Sequence, residues 1–351
     1  MAAYNDNIES REQRAESREQ RAESREQRAE SREQRRIVYL DFVKGVAIFL
    51  VVFGHCIQYG NDVAFLPSML YKIIYSFHMP LFALVSGYLF FPSVSRRKPL
   101  DALLKQAKSF ILPVASWTVI YAFIHSFTGL YRWNIPDYLA HVLWFLWAMF
   151  LCSMAVLSAR MLFHDSPIYY AGLFCILLFA PMAATSVFMY PYFVAGYLWH
   201  REGLGVKTYL IWSRHKFMVT ACLIVAWLFL FQFYTNEVYI YGSKINIFRG
   251  GRIDAGQLGL DIFRWLIGFA GGAAVLSLLG LVRPVNFLVL AGTKTLGIYV
   301  MSRFMDQLLP SGYGGYIMNF IEASIITAIC YGLSVLISRN RTANKLLLGG
   351  R

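Results

Sequence analysis

Charged residues are scarce in this chain of 351 residues, at 15% against about 25% in a typical soluble domain. Acidic residues are scarcer still beyond position 36. The first 36 positions hold nine Arg and nine acids, while the other 315 hold 24 Lys or Arg against 11 Asp or Glu. The whole net charge of +13 therefore falls in the apolar part of the chain. Cysteine is sparse too. Cys56, Cys152, Cys175, Cys222 and Cys330 each sit in an apolar run, and no two share a metal-like spacing. Neither a disulfide framework nor a zinc site is expected. The first 36 residues carry no apolar stretch, so no signal peptide is expected.

What is abundant is apolar surface. Hydrophobic residues make up 57% and aromatics 17%, with a mean hydropathy of +0.48. They arrive in runs of roughly 20, the length that crosses a bilayer as a helix. This excludes a disordered chain, a collagen-like fibre and a small disulfide scaffold, and it argues strongly against a soluble globular domain. The basic excess would suit a nucleic-acid binder, but it lies between apolar runs, where positive-inside loops explain it better. No nucleic-acid partner is expected.

Residues 1–36 form a separate tail. The unit Glu-Ser-Arg-Glu-Gln-Arg-Ala starts at Glu9, Glu16, Glu23 and Glu30, and Arg36 replaces Ala in the last copy. A seven-residue period suggests a coiled coil, yet no apolar pair exists to make its seam. As a helix it would set an acidic stripe opposite a basic one, with like charges at pairs such as Glu12–Glu16 and Arg14–Arg18. The bland reading is a solvated, partly helical tail. The sharper ones are an arm whose Arg face rests on anionic headgroups, or one that zips against another copy into an oligomer.

From Ile37 onward there are ten candidate membrane helices: 37–57, 70–91, 110–127, 138–159, 167–184, 187–200, 217–234, 260–282, 286–308 and 316–338. The reading is an all-α polytopic membrane protein of about ten transmembrane helices occupying 37–338, with 339–351 a basic cytoplasmic tail. With the N-terminus cytoplasmic, the inner connections hold fifteen Lys or Arg and the outer ones four. That bias places both termini inside. The long outer connection 235–259 is Gly-rich and polar, and could cover an outward-facing site.

Ionisable residues inside spans cost roughly 2.5–3.5 kcal/mol each on insertion scales, so those present are functional candidates. The first span carries Asp41, Lys44 and His55. Lys44 and His55 are eleven apart, hence on one face about 16 Å apart along the axis. Asp41 lies a turn below Lys44 and pairs with it, unless both snorkel at the inner interface. In the second span, Ser86 lies about 12 Å deeper than His78. Antiparallel packing brings His78 toward His55 and Ser86 toward the level of Lys44. His141, Arg264, Arg303, Asp306 and Glu322 are further ionisable residues that either pair structurally or touch a substrate.

Leu40-Asp41-Phe42-Val43-Lys44-Gly45 with Val51-Val52-Phe53-Gly54-His55 resembles the opening motif of the acyltransferase 3 family of membrane acyltransferases. Tyr75-Ser76-Phe77-His78-Met79-Pro80-Leu81-Phe82, Leu143-Trp144-Phe145-Leu146 and Thr295-Leu296-Gly297-Ile298-Tyr299 resemble later motifs of the same family. Within it the likeness is to inner-membrane O-acetyltransferases of bacterial surface polysaccharides, such as O-antigen acetylases. The resemblance implies about ten helices and transfer of acetyl from acetyl-CoA, a substrate rather than a bound cofactor, to a sugar hydroxyl. Its basic-residue-x10-His motif lands on Lys44 and His55, and its basic cluster on Lys105 and Lys108. The family often has Arg at these three basic positions; Lys keeps the charge and loses the bidentate fork. The late motif often ends in His, where this chain has Ser302 beside Arg303.

Acyl transfer to an alcohol needs a base, oxyanion stabilisation and two substrates brought together. His55 is the candidate base, or else a transient acyl carrier. Lys44 would bind or polarise the donor, Asp41 would keep Lys44 charged, and His78 would assist His55 or donate to the oxyanion. Ser86, Arg97, Lys105, Lys108, Trp144 and Arg303 are the substrate-binding candidates, the basic ones for donor phosphates unless they are ordinary positive-inside charge. Cys56 reads as a buried thiol. The acceptor would be a lipid-linked or polymeric glycan on the outer side. A proton-coupled exporter of a glycan or small solute would also use a polar track of Asp, Lys and His, and a scaffold for polysaccharide assembly is a third reading.

Overall fold

The structure, a computed structural model, describes residues 38–59, 68–128, 143–178, 184–239, 245, 247–249, 252–308 and 315–350. The heptapeptide repeat and His141 lie outside the described residues, as does the side chain of Asp306. In chain order the helices are α1 Val38–Tyr59, α2 Met69–Tyr75, α3 His78–Ser95, α4 Pro99–Thr128, α5 Trp144–Leu162, α6 Pro167–Leu178 and α7 Ala184–Arg201. They continue with α8 Leu204–Arg214, α9 Lys216–Phe231, α10 Ala255–Leu279, α11 Asn286–Thr293, α12 Thr295–Leu308, α13 Tyr316–Arg339 and α14 Arg341–Leu348. A 3-10 turn at Asn236–Val238 and a two-residue antiparallel ribbon, Phe248–Arg249 against Arg252–Ile253, lie between α9 and α10.

This is an all-α polytopic membrane protein. Among the described residues six spans are long and apolar enough to cross a bilayer: α1, α2 with α3, α4, α5, α10 and α13. The pair α8 and α9, bent by 104°, makes a seventh if taken as one. Where described, most of each candidate run is helical, and six or seven spans rather than ten have the length and hydropathy to cross. The runs that miss this mark do so for visible reasons: α6 has 12 residues and α9 has 16, α7 ends in His200 and Arg201, and 286–308 is broken at Lys294 into α11 and α12.

The bundle has a centre and a rim. In its most apolar window, 72% of the α2–α3 span and 67% of α1 are buried, against 28% of α13. The first two spans are therefore surrounded by protein, while α13 shows most of its surface to lipid. Two crossings bring backbones together. A Cβ at Gly45 would stand 1.7 Å from the Leu288 carbonyl oxygen, and one at Gly292 would stand 1.7 Å from that of Asp41. Only glycine permits that approach of α1 to α11, the way small residues let helices pack in a membrane. Gly87 of α3 and Gly196 of α7 do the same at a second crossing.

Pro80 explains the break between α2 and α3. Its ring would collide with the carbonyl four residues back, at Ser76, in a continuous helix. The chain turns at Ser76 and Phe77, and Pro80 then sits in the first turn of α3, where its missing N–H costs nothing. At the other end of the chain, α14 packs on α4. Trp117 Nε1 donates to the Leu347 carbonyl at 2.9 Å, and Leu348 is buried.

Candidate functional site

Two polar clusters lie along α1. Near its N-terminal end Lys44 Nζ stands 2.7 Å from Asp41 Oδ1, with both side chains about one-fifth exposed, at 22% and 19%. The i,i+3 spacing puts them on one face, and the Gly45–Gly292 crossing fixes that turn against α11. Lys294, at the break between α11 and α12, donates to Ser338 Oγ at 2.8 Å.

The second cluster is built around the turn between α2 and α3. His78 is 2% exposed, and its Nδ1 stands 2.8 Å from the Ile74 carbonyl. A carbonyl only accepts, so Nδ1 carries the proton and Nε2 is left with its lone pair. His55, the residue after Gly54, is half-buried on α1. Tyr75 joins them. Its ring meets His78 edge-on at 4.4 Å and stacks on Tyr71 at 3.9 Å. It lies so near α1 that a Cβ at Gly54 would come within 2.7 Å of it. The residue before His55 is thus glycine because an aromatic ring occupies its side-chain space. One turn beyond His55, Tyr59 carries Arg303 over its face at 4.5 Å.

A cleft opens beside this cluster. Its lining includes Tyr75, Ser76, Trp144, Tyr234, Tyr239 and Arg264. It is shallow and open to its surroundings, with an interior volume of about 30 Å³. Tyr239 meets Tyr75 edge-on at 5.2 Å and Tyr71 edge-on at 5.8 Å. Burial pushes the Tyr239 hydroxyl up to about 12, so at neutral pH it is an uncharged phenol that can donate. Arg264 and Asp261 form a fully buried pair on α10 behind the cleft.

The structure brings His55, His78, Arg303 and Trp144 to one end of the bundle. It leaves the other candidates elsewhere. Ser86 is half-buried on α3, two turns past His78 and outside the cleft. Arg97, Lys105 and Lys108 are exposed where α3 passes into α4, and Arg97 Nε donates to the Ser93 carbonyl at 3.0 Å, closing the end of α3. Glu322 is half-buried on α13, Cys56 is buried, and Ser302 points into the core with its hydroxyl on the Tyr299 carbonyl.

Tyr75, Tyr239, His125 and Lys294 join the list of polar residues near the clusters. His125 is 4% exposed at the far end of α4, against Phe304, next to Arg303. His125 and Lys294 each interrupt an apolar run, a signal present in the sequence. Tyr75 opens the motif that carries His78, whereas nothing local marks Tyr239 among the 22 tyrosines.

Comparison with known proteins gives one family match. Residues 37–339 match a family model described as an acyltransferase domain. The chain is also similar to the nodulation protein NolL of Mesorhizobium japonicum, with 29% identity over 223 residues, covering 59% of each chain. To NolL of Sinorhizobium fredii it is 29% identical over 233 residues, covering 60% of this chain and 61% of the other. The chain thus spans about 60% of the length of the curated relatives it matches. No solved structure matches it.

Proposed function

The chain belongs to the acyltransferase domain family, and from that premise we propose an integral-membrane O-acyltransferase of the bacterial inner membrane. It moves an acetyl group from cytosolic acetyl-CoA to a hydroxyl of a surface glycan such as O-antigen. One observation supports this reading: the Tyr75 ring beside an aromatic cleft meets His78 of α3 and packs against α1 at Gly54, next to His55, on the helix that also carries the Lys44–Asp41 pair.

The chemistry follows from that arrangement. The acceptor hydroxyl gives its proton to His55 as its oxygen attacks the thioester carbon. The tetrahedral intermediate collapses, the C–S bond breaks, and the coenzyme A thiolate takes the proton back. His78, with Nδ1–H spent on a backbone carbonyl, presents Nε2 as an acceptor. It therefore suits proton acceptance beside His55, and donating to an oxyanion would need a second proton on its ring. Lys44, paired with Asp41, meets the anionic donor about 16 Å further along the axis, with Arg97, Lys105 and Lys108 drawing the donor's phosphates toward the inner surface. The rings of Trp144, Tyr75 and Tyr239 offer flat apolar faces to a sugar, with one indole N–H and two phenol hydroxyls at their edges.

The test is the purified full-length protein in lipid with labelled acetyl-CoA and a glycan acceptor. Label appearing on the acceptor, with free coenzyme A released in equal amount, supports the reading. Acceptor crossing the bilayer without acyl transfer would replace it with an exporter.

A further inference from the structure

Arg264 is unlike the other cations of the spans. It is 1% exposed, its partner Asp261 is 0% exposed, and they sit on a helix that crosses the membrane. A buried pair of this kind is poor glue unless its remaining lone pairs are satisfied. Here Asp261 Oδ2 has no hydrogen-bond partner among the described residues. The way the guanidinium spends its donors accounts for its presence. Nη1 goes to Asp261 Oδ1, which also accepts from Gln257 Nε2 at 3.1 Å. Nε goes to the Val238 carbonyl at 2.8 Å, and Nη2 goes to the Glu237 carbonyl. Two of the three therefore leave the helix and hold the backbone of the outer connection.

That held segment forms one wall of the cleft. Tyr234, Val238 and Tyr239 line it on one side, facing Tyr75, Ser76 and Met79 of the turn that carries His78. Tyr239 is edge-on to Tyr75, which is edge-on to His78. A continuous set of contacts thus runs from Arg264 through the 237–238 backbone to the imidazole.

Resting on the acyltransferase reading above, we infer that Arg264 is a positioning residue for the acceptor. It latches the outer segment 237–239 so that Tyr239 forms the wall against which a pyranose ring packs beside His78. Arginine is suited to this because its planar fork reaches two carbonyls and a carboxylate at once. Lysine at the same place carries one point charge and can keep Asp261 while releasing the loop.

Arg264→Lys is therefore the primary test, in the labelled acetyl-CoA assay with the full chain in lipid. The acceptor KM should rise about tenfold or more while the donor KM moves less than about threefold. Deuterium uptake of the 237–239 amides should increase in the same variant. Tyr239→Ala, a change in the connection that leaves α10 intact, should raise the acceptor KM in the same selective way. An acceptor KM within about twofold of wild type in both variants would overturn the inference, as would a parallel rise in both KM values or unchanged uptake at 237–239. A purely structural role for Arg264 would lower yield and melting temperature without separating the two KM values. Wild-type protein that transfers no acetyl at all would remove the acyltransferase reading itself, a result readily told apart from a latch that fails.

Discussion

Lys44 and Asp41 hold each other at 2.7 Å in a partly buried place, and the loss of either leaves a charge in poor company. Asp41→Asn should lower donor use about tenfold through Lys44, read as a rise in the acetyl-CoA KM. Lys44→Ala should do at least as much, and Lys44→Arg should be tolerated if charge alone matters. His55→Ala removes the proposed base and should cut transfer about 10²–10⁴-fold. The same protein should still reach the membrane in normal amount on an immunoblot, and wild-type acetylation by this variant would end the assignment. The Asp41–Lys44 pair was legible from spacing, because it is an i,i+3 contact. Tyr75 stood in the motif with His78, but its packing against Gly54 was not legible, and neither was Tyr239. Those contacts come from two helices meeting and a loop folding back, and neither is a property of neighbours in sequence.

The apolar runs announce the helices, but not which of them are continuous. The α2–α3 break follows from Pro80 and could have been read from it. The break at Lys294 has no proline and was read as one run. The glycine crossings carry the strongest prediction for an element. Gly292→Val forces a side chain into the Asp41 backbone, and overpacking of this kind costs about 1–3 kcal/mol or more. Thermal unfolding in detergent should show a lower melting temperature. Gly259→Ala is the comparison, since its Cβ meets nothing within 4 Å. There alanine should leave stability equal or raised by about 0.5–1 kcal/mol.

Across the whole molecule the charge asymmetry predicts sidedness. Thr235 lies just before the 3-10 turn of the outer connection, and Thr342 lies in α14; both are exposed. A membrane-impermeant thiol reagent should label Thr235→Cys in spheroplasts and label Thr342→Cys only after permeabilisation. Reversed labelling would turn the donor and acceptor sides around. The class was readable from composition because lipid imposes it on every residue. The cleft was not, because it is made by α2, α3, α5, α7, α10 and the connection before α10 meeting from distant parts of the chain.

The contact between Trp117 and Leu347 joins residues 230 positions apart. A ribosome adding roughly 5–20 residues per second delivers the second partner on the order of ten seconds to a minute after the first. During that interval the third span is in the bilayer with the indole of Trp117 still waiting for its carbonyl. The nascent bundle therefore stays unclosed on that side, open to insertion factors and membrane proteases, until Leu347 emerges to seal it.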